Sequence, residues 1–255
     1  MSFAQMIKKR NIPYSLDDPR TTELHRKIIL ETPFLKKVYL NWYKEFQNVV
    51  NENSSGTYLE LGSGGGFLKD ILPQVITSDI LPLSYIDKQI NAEQLPFENK
   101  SLDGIFMLNV FHHIPRPYLF LKESQRVLKS RGKIVMIEPA NTMFSRFIYK
   151  KFHHEPFDEG GELSIEAGRP LSHSNQALPY IYFIREKKYF QENFPELKIL
   201  KIDYHTTLLY LLSGGVSYYP FVPAFTFDFF HIFEKCIKPF QRFTALFQTI
   251  IIEKQ

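Results

Sequence analysis

Cysteine is almost missing: Cys236 stands alone among 255 residues, which excludes a disulfide framework and points to a reducing compartment. Residues 1 to 20 lack an apolar core behind their basic part, so no secretory signal is expected and the chain reads as cytoplasmic. A basic tract is lacking as well. The formal charge is +4, with lysines and arginines interspersed among acids, so no nucleic-acid partner is expected, while an anionic membrane surface or an anionic substrate would suit the mild excess. No long apolar run is free of breakers. The best, Thr206 to Phe233, spans 28 residues with one charge, Asp228, but has Gly214, Gly215, Pro220 and Pro223 near its middle. That argues against a membrane span and leaves either peripheral contact with the inner face of the membrane through 206–243 or packing as a cap. Aromatic residues are plentiful, at 15%, and collect in the last third.

Glycine is also scarce, at 12 residues, yet four of them fall within Gly62–Gly66 of the stretch YLELGSGGGFLKDI at 58–71. Such a cluster marks either a loose turn or a place where the backbone approaches something closely.

Along the chain, residues 2–20 read as an arm broken by Pro13 and Pro19, and 21–50 as one or two helices with a break near Pro33. NENSSG then delivers the chain to alternating units. TYLEL reads as a strand, GGFLKDILPQ as a helix, VITSDI as a strand, INAEQLPFENKSL as a loop and DGIFMLNVF as a strand. PRPYLFLKESQRVLKS follows as a helix stopped by Gly132, then KIVMIEP as a strand. This rhythm argues for crossover units and a doubly wound, mostly parallel α/β sheet covered on both faces. We divide the chain into 1–50, forming part of a cap, and a main domain over 51–255 with insertions at 140–180 and 214–243. A helix at IYFIREKKYFQENFPE, a strand opening LKILKIDYHTTLLYLLSGG, an aromatic helix and a final strand at FQTIIIEKQ complete the reading.

In a doubly wound sheet the first strand-to-helix turn borders the ligand crevice. Gly62, Gly64 and Gly66 give G-x-G-x-G, whereas the dinucleotide fingerprint needs a glycine where Phe67 stands, and a Walker loop needs Ser or Thr where Asp70 follows Lys69. Glu60, before the glycines, would repel a pyrophosphate and suits an ammonium or sulfonium. Asp79 closes the second strand, seventeen residues after Gly62, where a carboxylate accepts from two ribose hydroxyls. One acid for a cation and one for a diol describe an adenosyl amino acid.

These residues resemble the first motif of the class I S-adenosylmethionine-dependent methyltransferases. SDI at 78–80, NAEQLPFENKSLDGIFMLNVFHHI at 91–114 and RVLKSRGKIVMIEP at 126–139 continue the likeness in order over about 85 residues. The resemblance implies a Rossmann-like, seven-stranded sheet whose last strand is antiparallel and inserted beside the sixth. It implies S-adenosylmethionine as cofactor, with Glu60, Gly62, Ser63 and Gly64 under the methionine moiety, Asp79 on the ribose and Ile80 against the adenine. Asn91, Ala92 and Glu93 would line the adenine side, and Asn109 and Val110 the sulfonium side. Asn91 stands where the family often has Asp, exchanging a charged acceptor for an amide that still accepts.

His112 and His113 are the candidate catalytic residues, since only an acceptor that loses a proton needs a base; His153, His154 and His173 are further candidates. Alternatives stay open. The glycines could be a tight turn, Asp79 a cap, and the histidine pair a cap, packing or cofactor contact. Neither His112–His113 nor His153–His154 has the i,i+4 spacing and acidic partner of a metal site, so no metal is expected. The aromatic cap suits a small hydrophobic or lipid-linked acceptor. A binding or scaffolding protein that has lost turnover, and a dehydrogenase, are the rival readings. The residues do not fix an oligomeric state.

Overall fold

The computed structural model describes residues 8–255, so the beginning of the expected N-terminal arm, residues 1–7, lies outside the described part. Two helices come first, α1 (Pro19–Glu31) and α2 (Pro33–Glu52). Asp18 caps α1 by accepting from the Arg20 N–H, and Pro33 restarts the chain at the first position of α2, where a missing N–H costs nothing. One face of α2 buries Val38, Trp42, Tyr43, Phe46, Val49 and Val50, the spacing of an amphipathic helix on a core.

The sheet has seven strands in the order β3-β2-β1-β4-β5-β7-β6. They are β1 (Tyr58–Leu61), β2 (Ile76–Asp79), β3 (Lys88–Gln89), β4 (Leu102–Leu108), β5 (Leu128–Pro139), β6 (Leu197–His205) and β7 (Phe247–Lys254). β1 to β5 pair in parallel, and β7 runs antiparallel between β5 and β6, as the family resemblance implies. The four residues of β1 are buried throughout, and Ile105, Phe106 and Met107 of β4 are fully covered, which is why these segments read as continuous apolar runs. Phe106 stacks on Phe46 of α2 at 4.9 Å and on Tyr58 at 5.5 Å, fastening the N-terminal helices to the centre of the sheet.

Three sequence expectations change. The helix expected after the glycines is a single turn, α3 (Leu68–Ile71), because Leu72 leaves helical geometry ahead of Pro73. The helix α4 (Pro117–Val127) ends before Gly132, which lies inside β5 instead. A Cβ on Gly132 would meet the carbonyls of Lys129 at 2.9 Å and Leu102 at 3.2 Å, beside the register shift between β4 and β5. The helix expected from 181 is broken in the middle, with a π-type turn at Ile181–Arg185 before Lys187–Asn193. β3 went unread because its two residues are exposed and carry no apolar pattern.

The 140–180 segment contains α5 (Met143–Phe152), started by a reciprocal Thr142–Ser145 capping box. Its following loop folds back toward the N-terminal arm, where Asp17 accepts from the N–H groups of Leu171 at 2.9 Å and Ser172 at 3.0 Å.

Candidate functional site

The order of strands reverses between β1 and β4, and a cavity of about 460 Å³ opens at their C-terminal ends. All eleven residues expected around the adenosyl amino acid line it: Glu60, Gly62, Ser63, Gly64, Asp79, Ile80, Asn91, Ala92, Glu93, Asn109 and Val110. His113 joins them, and His112 does not.

The glycines divide their work. Gly62 and Gly64 have φ of +63° and +48°, the left-handed region, and a Cβ on Gly62 would stand 2.5 Å from Val110. Gly65 and Gly66 are needed for close approach. A Cβ on Gly65 would meet the Arg26 amide of α1 at 2.9 Å, and one on Gly66 the Tyr43 hydroxyl at 2.7 Å. That hydroxyl accepts from the Phe67 N–H at 2.9 Å, while Arg26 donates to the Gly66 carbonyl. The cluster therefore serves two purposes: a tight turn facing the cavity and a seat for α1 and α2 behind it.

Glu60 is 2% exposed, and its carboxylate accepts from the Ser63 hydroxyl at 2.5 Å. Burial, with Asp79 nearby, pushes its pKa up to about 7, although the Ser63 hydrogen bond and Arg26 pull the other way. A carboxyl so poised fits a cationic ligand group and disfavours a phosphate. The sign follows from proton counting. Between about 4.5 and about 7 the folded, ligand-free chain holds a proton that the unfolded chain has released, so this group removes stability as pH rises through that window. A sulfonium or ammonium placed beside it reverses the preference. S-adenosylmethionine affinity is accordingly expected to rise from pH 6 toward pH 7.5 and then level. Calorimetry at pH 6 in two buffers of different ionisation enthalpy should detect proton release on binding, and equal heats in both would refute the assignment.

Asp79, at the end of β2, accepts from the Gly64 N–H at 2.8 Å and the Leu81 N–H at 2.9 Å. Asn109 sits at φ +57°, and its side-chain oxygen is buried without a partner. Glu93 lines the cavity with its carboxylate engaged by Arg116, whose Nε lies at 2.9 Å and whose backbone N–H at 2.8 Å. Asn91 accepts from the Glu93 N–H at 2.9 Å, so both side chains brace the loop of the adenine side.

A second chamber of about 200 Å³ shares His25, Tyr39, Gly65, Asn109, His113 and Leu171 with the first. Its floor carries His112, His113, His153, His154 and Glu155, so the two histidine pairs, forty residues apart in sequence, meet. The expectation that neither pair has an acidic partner is overturned. The partners come from other elements: Glu138 from the end of β5 and Glu155 from the loop after α5.

His112, 2% exposed, lies between them, with Nδ1 at 2.6 Å from Glu138 and Nε2 at 3.4 Å from Glu155. Burial works against its charge, yet the two carboxylates outweigh it and push its pKa up to about 9. Glu138 also accepts from the N–H groups of Val110 at 2.9 Å and Phe111 at 2.7 Å, fixing the turn after β4. Burial and the adjacent His112 push His113 down to about 3, so it stays neutral, and His153 falls to about 4 by burial. A His112 already holding its proton at neutral pH does not fit the role of base expected for it.

Sequence reasoning missed Glu138 and Glu155. Glu138 had the same signal that singled out Glu60 and Asp79, an acid closing an apolar strand; Glu155 had none beyond following His153 and His154.

Residues 59–136 match the model of a family described as a methyltransferase domain. No curated protein matches the chain at a significant level. Among solved structures, an S-adenosylmethionine-dependent methyltransferase from Archaeoglobus fulgidus is 16% identical, with 86% of this chain and 94% of that one covered at a TM-score of 0.53. Another from Thermotoga maritima is also 16% identical, covering 91% and 99% at a TM-score of 0.50. Both are similar in fold.

Proposed function

We propose that the chain is a class I S-adenosylmethionine-dependent methyltransferase, as the match of residues 59–136 to a methyltransferase-domain model suggests, and that it moves the methyl group from the first cavity to an acceptor held in the second. The observation that carries this reading is the junction of the two chambers at Tyr39, Asn109 and His113. Bound S-adenosylmethionine supplies an activated methyl carbon and a thioether leaving group. Glu60 faces its cationic end, Asp79 its ribose, and the glycine turn leaves room for both. The protein's contribution is alignment and exclusion of water.

The acceptor has a polar reacting end and an apolar body. The second chamber is lined both by polar groups, Glu155, His113, His153 and Gln176 among them, and by apolar ones such as Ile29, Leu171 and Phe247. None of the phenylalanines from 221 to 243 lines either chamber, so the aromatic surplus serves another purpose than holding the acceptor. Phe225, Phe229, Ile232, Phe240 and Phe243 are exposed, by 83% at Phe225, and Lys235, Lys238 and Arg242 stand among them. Phe147 and Phe152 of α5 are exposed too, next to Lys150 and Lys151, and α5 contacts the Gln241–Thr244 turn. An apolar face with a basic rim suits an anionic lipid surface and would bring a lipid-linked acceptor to the chamber. Among the described residues no helix is long and apolar enough to cross a membrane.

Incubating the protein with labelled cofactor and separate lipid and polar extracts is expected to put label in the lipid fraction. Label confined to the polar fraction would refute the amphiphilic acceptor. Flotation with anionic vesicles should carry the protein, and Phe225→Ser with Phe229→Ser should abolish it; indifference to both changes removes the membrane reading.

A further inference from the structure

We propose that His112, His113 and Glu155 bind one divalent transition-metal ion, which holds the reacting oxygen of the acceptor. The second half of this statement rests on the methyl-transfer reading; the first half does not.

One ligand-capable atom from each of the three side chains lies within 4.8 Å of the others. Nε2 of His112 is 3.4 Å from one Glu155 oxygen, and Nε2 of His113 is 3.8 Å from the other. Ligands bound tetrahedrally at about 2.0–2.1 Å stand about 3.3 Å apart, so the three need only small rotations to close on an ion. His112 is prepared for ligation by its other nitrogen. Nδ1 faces Glu138 at 2.6 Å, which sets the ring and directs Nε2 toward Glu155, the carboxylate–histidine arrangement that supports metal ligands. Glu155 is held in turn by the Gln176 amide, which donates to it at 3.0 Å. His154 waits at the edge, with Nε2 at 3.6 Å from Glu155 and more than half of its side chain exposed.

Charge points the same way. Two carboxylates, Glu138 at 0% and Glu155 at 13% side-chain exposure, face one histidine between them. A proton on that histidine leaves the group with a net negative charge inside the protein, whereas a dication with neutral histidine balances it. Two imidazoles and one carboxylate suit zinc, cobalt, manganese or ferrous iron.

The remaining coordination positions open on the acceptor chamber. A hydroxyl or enol oxygen of the acceptor bound there loses its proton to water more readily, because the ion stabilises the oxyanion. The oxygen then forms its bond to the methyl carbon as the carbon–sulfur bond breaks, and that electron pair stays on sulfur.

The test uses the full chain, freed of metal by dialysis against a chelator and titrated with Co²⁺. The expected result is a visible d–d absorption that saturates at one equivalent and is displaced by Zn²⁺. Glu155→Gln should weaken Co²⁺ binding at least tenfold while S-adenosylmethionine still binds by calorimetry, which confirms that the variant folds; His113→Ala, at a residue that also lines the cofactor cavity, should weaken Co²⁺ binding as much, with its fold checked by circular dichroism. A wild-type chain that binds the cofactor but takes up no Co²⁺, or a Glu155→Gln variant with unchanged Co²⁺ affinity, overturns the proposal and leaves an ion-pair network. Stoichiometric Co²⁺ without methyl transfer to any extract upholds the metal site and removes its assigned role.

Discussion

Asp79→Ala is expected to weaken S-adenosylmethionine binding by at least about a hundredfold, about 2.7 kcal/mol. Two losses add. On the proposed reading the carboxylate at the end of β2 accepts from the ribose hydroxyls, and hydrogen bonds to a charged group contribute about 1.5–3 kcal/mol each. It also accepts from the Gly64 and Leu81 N–H groups, so its removal releases the turn that must keep its shape before the ligand arrives. Asp79→Asn preserves volume but sets an amide where two N–H groups and a diol all need an acceptor, and it should recover only part of the loss. Calorimetry with S-adenosylmethionine and S-adenosylhomocysteine decides. A change below about threefold in a folded variant would place the sugar elsewhere.

The second large effect concerns stability. Glu138 is fully buried and engages the N–H groups of Val110 and Phe111 together with His112. In the metal-free chain Glu138→Ala leaves two donors and a buried imidazolium without their anion, a change that costs about 3–5 kcal/mol. In a chain of this size that corresponds to a fall in melting temperature on the order of 10 °C. Glu138→Gln keeps a carbonyl oxygen for the two N–H groups and should fall by less than half as much. Thermal unfolding followed by circular dichroism measures both, and an alanine variant as stable as the parent would mean that the turn after β4 is held by something else.

The comparison of sequence with structure divides along a physical line. β1, β4, β5 and β7 were legible because strands buried on their faces write runs of apolar residues, β2 and the mostly half-exposed β6 because Val75–Ile76 and the apolar positions of LKILKI still mark a strand, and Glu60 and Asp79 stood out as acids closing their strands. β3 was not, since two exposed residues leave no pattern. Gly65 and Gly66 looked like part of the ligand turn, and only the packing of α1 and Tyr43 against them separates the two roles. The histidines were visible but their partners were not, because Glu138 and Glu155 reach them through tertiary contacts 26 and 43 residues away in the chain. The aromatic surplus misled differently. Composition reveals how many phenylalanines a segment has but not which way they face, and of those at 221–243 none lines either chamber: Phe227 packs on Phe34 in the core, while Phe225 and Phe229 are exposed.

The antiparallel placement of β7 has a consequence for biogenesis. β6 touches the rest of the sheet only across β7, through the pairing from Leu197–Lys254 to His205–Phe247. During synthesis, then, β1 to β5 can assemble while β6 has emerged from the ribosome with no neighbour to zip onto, and its edge remains exposed to chaperones or to other nascent chains. The sheet locks only when the segment after residue 246 slides between two strands made earlier, so translation must proceed past that point before the fold closes.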